Sequence, residues 1–449
     1  MSMRGYSPTS TVPTEAPRGP YEAPTAAKPL SASVAVPGSK SLTNRELVLA
    51  ALADGSSRVS SPLHSDDSRA MGRALRALGV GIEQVPGESP FGPDVVVTPP
   101  KHLTGGTEID TGQAGTVMRF VAPLLGLVDG EVHMTAHASA LHRPMGAMIR
   151  ALRDLGIDID DGGSWSLPFT VRGHGQVRGG ELEIDASGSS QFVSGLLLAA
   201  PRFDVGLHLK HVGQTLPSLP HIEMTLETLA RRGVHVEQPS ESEWIVPAAV
   251  PRAKAIAIEP DLSNAAPFLA AAMVACGTVT IPAWPAHSTQ PGGRLTEILG
   301  LLGARVSRRG GAVTVSAGQT IHGVDLDLSA VSELTPTLVG IAAFADSPSS
   351  FTGIGHIRRH ETDRIAALVS GIRALGGEAE ELPDGLRIVP APLHGGEWKA
   401  HHDHRMATTG ALIGLRVPGV VIDEIGTTGK TMPQFTWLWE QMLAGDAAA

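Results

Sequence analysis

The chain has 449 residues, of which 52 are Gly and 34 Pro; it is 42% hydrophobic, 18% charged and only 4% aromatic, a mix that excludes wholesale disorder and, at this length, leaves room for two or three domains. Thirty-five Lys and Arg against 45 Asp and Glu give a formal charge of −10, which repels a polyanion unless the cations are gathered in one place. Both tyrosines, Tyr6 and Tyr21, fall at the very start, so base-stacking material is scarce and nucleic acid is not an expected partner.

Residues 1–28 are rich in Pro, Thr and Ala, lack the apolar core of a secretion signal and contain Glu15 and Glu22, which a transit peptide avoids. They read as a disordered, solvated tail. Beyond it a unit recurs six times, in which a small-residue apolar segment reads as a buried helix and runs through a turn into a β-like stretch. The segments are LVLAALADGSSRV, FVAPLLGLVDGEVHM, GLLLAAPRFDVGLHL, FLAAAMVACGTVTI, LVGIAAFADSPSSFTG and ALIGLRVPGVVID. Their turns, at Gly55, Gly130, Gly206, Gly277, Ser349 and Gly419, stand 75, 76, 71, 72 and 70 residues apart.

A second pattern keeps the same beat. Amphipathic helices read as ending at Gly79, Gly156, Gly233, Gly303 and Gly376, each just before a strand. Each unit therefore holds two helices and several strands, which predicts an α/β architecture built by duplication. Six units exceed one core, and a three-and-three split is expected, with the chain crossing near Pro37-Gly38 and Glu259-Pro260. That places one domain in residues 29–38 plus 260–445 and a second in 39–259, with ligand expected between them. The most apolar stretch, Phe268 to Cys276, is well short of the about 18 residues of a membrane span. Cys276, the one cysteine, is expected as a core residue inside that helix; it excludes an internal disulfide and suits a reducing cytoplasm.

Just before the six apolar helices stand VPGSKSLTNR, DTGQAGTVMR, DASGSSQF, EPDLSNAAP, DLSAVSELTP and HHDHRMATT, rich in residues that cap helix starts. Any one of these can be no more than a cap. Lys40, Arg45, Arg119 and Arg405, however, sit at or within a turn of those starts, and Arg143, Arg364 and Lys430 lie in similar segments. Seven cations so placed in an acidic chain predict a cleft for a small ligand with several negative charges. PGSKS is not a Walker phosphate loop, because Ser39 stands where that pattern requires Gly. The His401, His402, Asp403, His404 run lacks metal-ligand spacing and no thiolate supports it, so no metal is expected.

The same segments resemble the 5-enolpyruvylshikimate-3-phosphate synthase family. PGSKSLTNR, AGTVMR, HRPMG, SSQF, LPSLPHIEMT, HETDR, DHRMA and GKTMP match its pattern in order over residues 30 to 440. The resemblance implies two domains, each of three βαβαββ-type units with helices inside and sheets outside (an inside-out α/β barrel). It implies transfer of the enolpyruvyl group of phosphoenolpyruvate to the 5-hydroxyl of shikimate 3-phosphate, with release of phosphate, by a cytoplasmic enzyme expected to be a monomer without cofactor.

By this resemblance Lys40, Ser41, Arg45, Ser189, Ser190, Gln191, Ser218, Glu333 and His360 would hold shikimate 3-phosphate. Lys40, Gly115, Arg143, Gln191, Arg364, Arg405 and Lys430 would hold phosphoenolpyruvate, since forked guanidinium groups match carboxylate and phosphate. Glu333 is the expected base for the hydroxyl and Glu361 the expected proton donor, with Lys40 as a competing acid/base. His360 stands where many members have Lys, Glu333 where many have Asp, Gln113 where Asn is common and Phe120 where Pro is frequent. Retention of Gly115 implies sensitivity to glyphosate. The nearest alternative is enolpyruvyl transfer to a UDP-amino sugar, against which Lys40 is followed by Ser41 rather than Asn; a non-catalytic sensor of phosphorylated metabolites would have no need of Glu333 and Glu361.

Overall fold

Twelve α-helices run through residues 12–445, the part of the chain that the computed structural model describes. They are α1 (Lys40–Ala51), α2 (Asp66–Ala77), α3 (Gly115–Val121), α4 (Gly146–Asp154), α5 (Ser190–Ala199) and α6 (Leu219–Arg231). Then follow α7 (Ala266–Val274), α8 (Leu295–Leu301), α9 (Thr335–Ala342), α10 (Arg364–Ala374), α11 (His404–Gly414) and α12 (Phe435–Ala444). Two kinds alternate. The odd-numbered helices are buried on nearly all sides, with their polar residues gathered mainly toward the N-terminal ends of α1 and α11; α7 and α9 bury every residue. The even-numbered ones bury a stripe, such as Ala70, Met71, Ala74 and Leu75 of α2, and expose charge opposite it.

Each even-numbered helix ends against a left-handed glycine, Gly79, Gly156, Gly233, Gly303 and Gly376 having φ between 80° and 100°. Only glycine takes that turn without a steric penalty. Helix α12 ends likewise at Gly445, φ 81°, a sixth copy without the Leu-Gly or Arg-Gly signature of the others. Cys276 departs from expectation: α7 stops at Val274, and the cysteine is an exposed residue at φ 53°. The continuous apolar run hid the end of the helix, because the turn it enters is made by the cysteine itself.

The strands form six separate sheets. In the simplest, strand Gly180–Ile184 leads into α5, Leu207–His211 pairs parallel to it, α6 follows, and the hairpin Glu237–Ser240/Glu243–Val246 completes the sheet antiparallel. This is a βαβαββ order. Two units borrow their first strand from far away. Ala255–Ala257 pairs with Ser57–Ser60 in the α1 unit, and Ser31–Ser33 with Thr278–Ile281 in the α7 unit. The two passes lie side by side, with Gly38 bridged to Pro260 and Ser39 N donating to Glu259 O at 2.8 Å.

In the last unit Gly396–Trp398 and Val420–Ile422 pair in parallel, and Tyr21–Glu22 takes the antiparallel place filled by a hairpin elsewhere. The expected tail is therefore corrected for residues 12–28. Ala23 is buried and its N–H donates to Val420 O, so this stretch is part of the fold. Composition missed it because a single added strand needs only a sheet edge, not an apolar pattern of its own. Residues 1–11 lie outside the described part.

Side chains bury into two large clusters. One combines Ala23 to Val36 with Leu262 to Met442 and includes Phe91; the other spans Leu47 to Val246. Helices α7, α9 and α11 contact one another in the first, and α1, α3 and α5 in the second. The contact is close: a Cβ on Gly195 of α5 would lie 2.2 Å from Arg119 O of α3. Strands expose alternate residues, so the helices are inside and the sheets outside.

Within the second cluster Arg232 and Glu46 are both buried, Nε donating to Oε2 at 2.8 Å, while Arg232 NH1 donates to Ser57 Oγ and Arg252 O. Burial pushes the Glu46 carboxyl up, and Arg232 opposes that shift. Removing one partner of such a pair leaves a charge with no compensation. Arg232→Met should lower unfolding free energy by about 3–5 kcal/mol in urea titration, and Glu46→Leu combined with it should recover much of that loss.

Candidate active site

Between the clusters lies a cavity reached by the N-terminal ends of all six buried helices. The second cluster contributes residues 39–45 at the start of α1, 115–120 of α3, Arg143 and Pro144, 188–191 before and in α5, and 217–224 around α6. The first contributes 261–264 ahead of α7, Ser332 and Glu333 ahead of α9, 356–364 ahead of and at α10, and His404 and Arg405 of α11. Side-chain oxygens fix these starts: Ser39 Oγ accepts from Leu42 N, Ser189 Oγ from Gln191 N and Asp403 from Arg405 N. The remaining N–H groups of each first turn face a common space.

Lys40, Ser41, Arg45, Gly115, Arg143, Ser189, Ser190, Gln191, Ser218, Glu333, His360, Glu361, Arg364 and Arg405 all line this one cavity. Lys430 does not. It lies one layer back, in an adjoining cavity, and reaches the principal one through an ammonium–carboxylate hydrogen bond to Glu361. Around the principal cavity seven Lys and Arg face only three Asp and Glu. That excess selects an anion.

The cations differ in how much of their hydrogen bonding is already used. Arg45 gives Nε to Thr225, NH1 to Ser41 O, and NH2 to Ser194 and His221 O. One N–H of its five is left for a ligand. Arg364 is clamped by Asp403, Nε to Oδ2 at 2.6 Å and NH2 to Oδ1 at 3.2 Å, and also donates to Glu361 and His360 Nδ1. Arg405 has no side-chain partner among the described residues, and Nε of both Arg119 and Arg143 is buried without one. Burial and neighbouring Arg143 pull Arg119 down to about 9. Gln191 Oε1 and both ring nitrogens of His404 are likewise buried and unpaired. So many open donors and acceptors around one hollow are what a polar ligand satisfies.

The two candidate acid/base carboxylates sit in contrasting surroundings. Burial alone would raise Glu333, but His221 at 3.6 Å, Arg405 and the 2.9 Å hydrogen bond from Ser263 outweigh it and hold it at about 2. Burial likewise opposes ionisation of Glu361, yet Lys430, Arg364 and Arg143 keep it well below the carboxylate range. His360 is held well below its ordinary value by burial and Arg364, so its ring is neutral and Nδ1 accepts.

Residues the sequence reading did not assign also line the cavity: His221, Asp261, Ser263, Asn264, Gln290, His356, Arg359 and His404. His221 and Ser263 lay within motifs singled out from sequence, and their pairing to Glu333 is what spacing alone could not give. Arg119, named as a helix-start cation, is a further member. Of the histidine run, His401 and His402 are exposed in left-handed turns and Asp403 is a cap. Among the described residues no group of three or more His, Cys, Asp and Glu is arranged to hold a metal ion, and no helix is long and apolar enough to cross a membrane.

Because Glu333 titrates at about 2 folded and near 4.5 unfolded, the unfolded chain binds the extra proton between those values, and stability is lost as pH falls through that window. Buried His360 and His404, held neutral, already cost stability below about pH 6.5, so the Glu333 share is read as a difference: the fall in urea midpoint between pH 4.5 and pH 2 should be smaller in Glu333→Gln than in wild type.

Comparison with known proteins agrees with the geometry. Residues 24–439 match the family model described as EPSP synthase (3-phosphoshikimate 1-carboxyvinyltransferase). A 3-phosphoshikimate 1-carboxyvinyltransferase of Kocuria rhizophila is 50% identical over 423 residues, 93% of this chain and 95% of that one. An EPSP synthase structure from Acinetobacter baumannii superposes with TM-score 0.77 at 26% identity, covering 95% of this chain and 98% of that chain. The enolpyruvyl transferase NikO of Streptomyces tendae shares the fold, with TM-score 0.72, 16% identity and the same coverage. With an anion-selective hollow at the meeting point of six helix starts and a match of this extent, the chain belongs to the EPSP synthase (3-phosphoshikimate 1-carboxyvinyltransferase) family.

Proposed function

We propose that the cavity carries out the family reaction through the residues that line it. The chain is a 3-phosphoshikimate 1-carboxyvinyltransferase: it moves the enolpyruvyl group of phosphoenolpyruvate onto the 5-hydroxyl of shikimate 3-phosphate and releases phosphate. The observation that carries the residue assignment is the surplus of cations with unused donors around two ionised glutamates. In our reading the chain forms two domains, 29–38 with 260–445 and 39–259, and the ligands lie between them.

Shikimate 3-phosphate sits against Ser189, Ser190, Gln191, Ser218 and the start of α1, with the remaining Arg45 N–H and Lys40 on its phosphate side. Phosphoenolpyruvate lies toward Arg143 and Arg405, with Arg364 and Lys40 at its edges. Lys430 acts from behind Glu361 rather than by direct contact. Glu333, fully ionised and near His221, accepts the proton of the 5-hydroxyl as its oxygen bonds to C2 of phosphoenolpyruvate, while C3 gains a proton. The tetrahedral adduct then loses a C3 proton and breaks its C2–O bond to phosphate. No electrons are gained or lost overall, so the reaction as written calls for no cofactor.

Glu361 is a poor acid while Lys430 and Arg364 hold it as a carboxylate. Binding of phosphoenolpyruvate neutralises those cations and raises its proton affinity, which makes it a donor only in the loaded site. Lys40 is the second candidate for that proton.

Two measurements test this reading. Purified protein should release phosphate only when both substrates are present, and Glu333→Gln should bind them with little change while turnover falls by roughly 10²–10⁴; release from phosphoenolpyruvate alone would sink the assignment. Millimolar glyphosate should suppress the rate. Gly115→Ala should weaken that inhibition, because its Cβ would stand 2.8 Å from Arg119 NH1 and 3.3 Å from Gln191 Oε1.

A further inference from the structure

One buried carboxylate beside the site has no task in the chemistry above. Asp67 lies in the first turn of α2 with its side chain 3% exposed. It does not cap that helix: Ser65 is the cap, exchanging hydrogen bonds with Ser68. Its Oδ2 is 3.5 Å from Lys40 Nζ and has no hydrogen-bond partner among the described residues. A carboxylate is not carried into the interior without opposing charge.

The opposing charge comes from both halves of the site. Lys40, at the start of α1, faces Asp67 from one side. Asp67 and Lys430 line the same adjoining cavity behind Glu361, and the carboxylate acts electrostatically on the Lys430 ammonium. The order Lys40, Asp67, Lys430, Glu361, Arg364, Asp403 thus alternates in sign from one side of the hollow to the other. At 3.5 Å the Lys40 contact is looser than a full hydrogen bond, so the ammonium keeps its three donors available to a ligand while being drawn to one side.

We propose that Asp67 is a positioning residue for enolpyruvyl transfer, holding Lys40 from the side away from the ligand so that its ammonium is preset for the incoming anion, and acting at longer range on Lys430 behind Glu361. This rests on the function proposed above. Asp67 lines the adjoining cavity and not the principal one, so it acts only through the lysines. A positional role has a distinctive consequence. Removing the negative charge makes the site more positive, so binding of an anion does not weaken, whereas alignment of Lys40 for the chemical step is lost.

Steady-state kinetics on the full chain decide. Asp67→Asn should lower kcat at least roughly tenfold with KM for phosphoenolpyruvate unchanged or reduced, and Asp67→Glu, which keeps the charge, should recover part of kcat where Asp67→Ala does not. Thermal melting of each variant is read alongside; if Asp67→Asn melts early, the kcat-to-KM split of Asp67→Glu against wild type takes its place. A kcat equal to wild type for Asp67→Asn, or KM rising equally for both substrates, overturns the proposal. A wild-type protein that releases no phosphate from the two substrates sinks the underlying function instead.

Discussion

Like charges repel, and this fold brings seven basic side chains and six helix N-termini, all positive, to one hollow. Two unit charges 4 Å apart in a protein-like medium oppose each other by about 4 kcal/mol. The strain is visible in Arg119, whose proton is loosened by burial and by Arg143. Everything around the site offsets it. Asp403, fully buried, clamps Arg364; Glu361 joins Arg364 to Lys430; Glu333 draws on His221 and Arg405. What these carboxylates leave uncompensated is matched by a ligand bearing a phosphate and a carboxylate, so the architecture and its choice of ligand have one electrostatic origin.

The same neighbours separate two chemically identical side chains. Glu333 is ionised by a histidine, an arginine and a hydroxyl, partners that stay when substrate arrives. Glu361 is ionised by a lysine and two arginines that a bound anion would partly neutralise. One carboxylate therefore keeps a stable affinity for protons while the other changes with occupancy, which is the difference between a base and a conditional acid.

Much of this was legible from residue order. The 70-residue beat in small-residue runs located the six buried helices, because a helix surrounded by others must be apolar all round, and the positive-φ glycines followed from the same repeat. The cations at helix starts foretold an anion cleft, and family motifs supplied their partners. The failures are also physical. Tyr21–Glu22 joins a sheet edge as a two-residue strand, too short to carry an alternating pattern, and Cys276 sits two residues past a helix end that apolar sequence disguised. His221 facing Glu333, and Lys430 standing behind Glu361, depend on side chains from distant segments, which no local pattern encodes.

The exchange of first strands at the Gly38–Pro260 bridge has a consequence for biosynthesis. The sheet holding Ser57–Ser60 stays one strand short until residue 257 has emerged from the ribosome, and Ser31–Ser33, made early, has no parallel neighbour until Thr278–Ile281 appears. Between residues 60 and 257 the nascent chain thus carries two unfinished edges at once, and the half of the hollow built from Leu47 to Val246 receives its last strand while most of the other half has yet to be made.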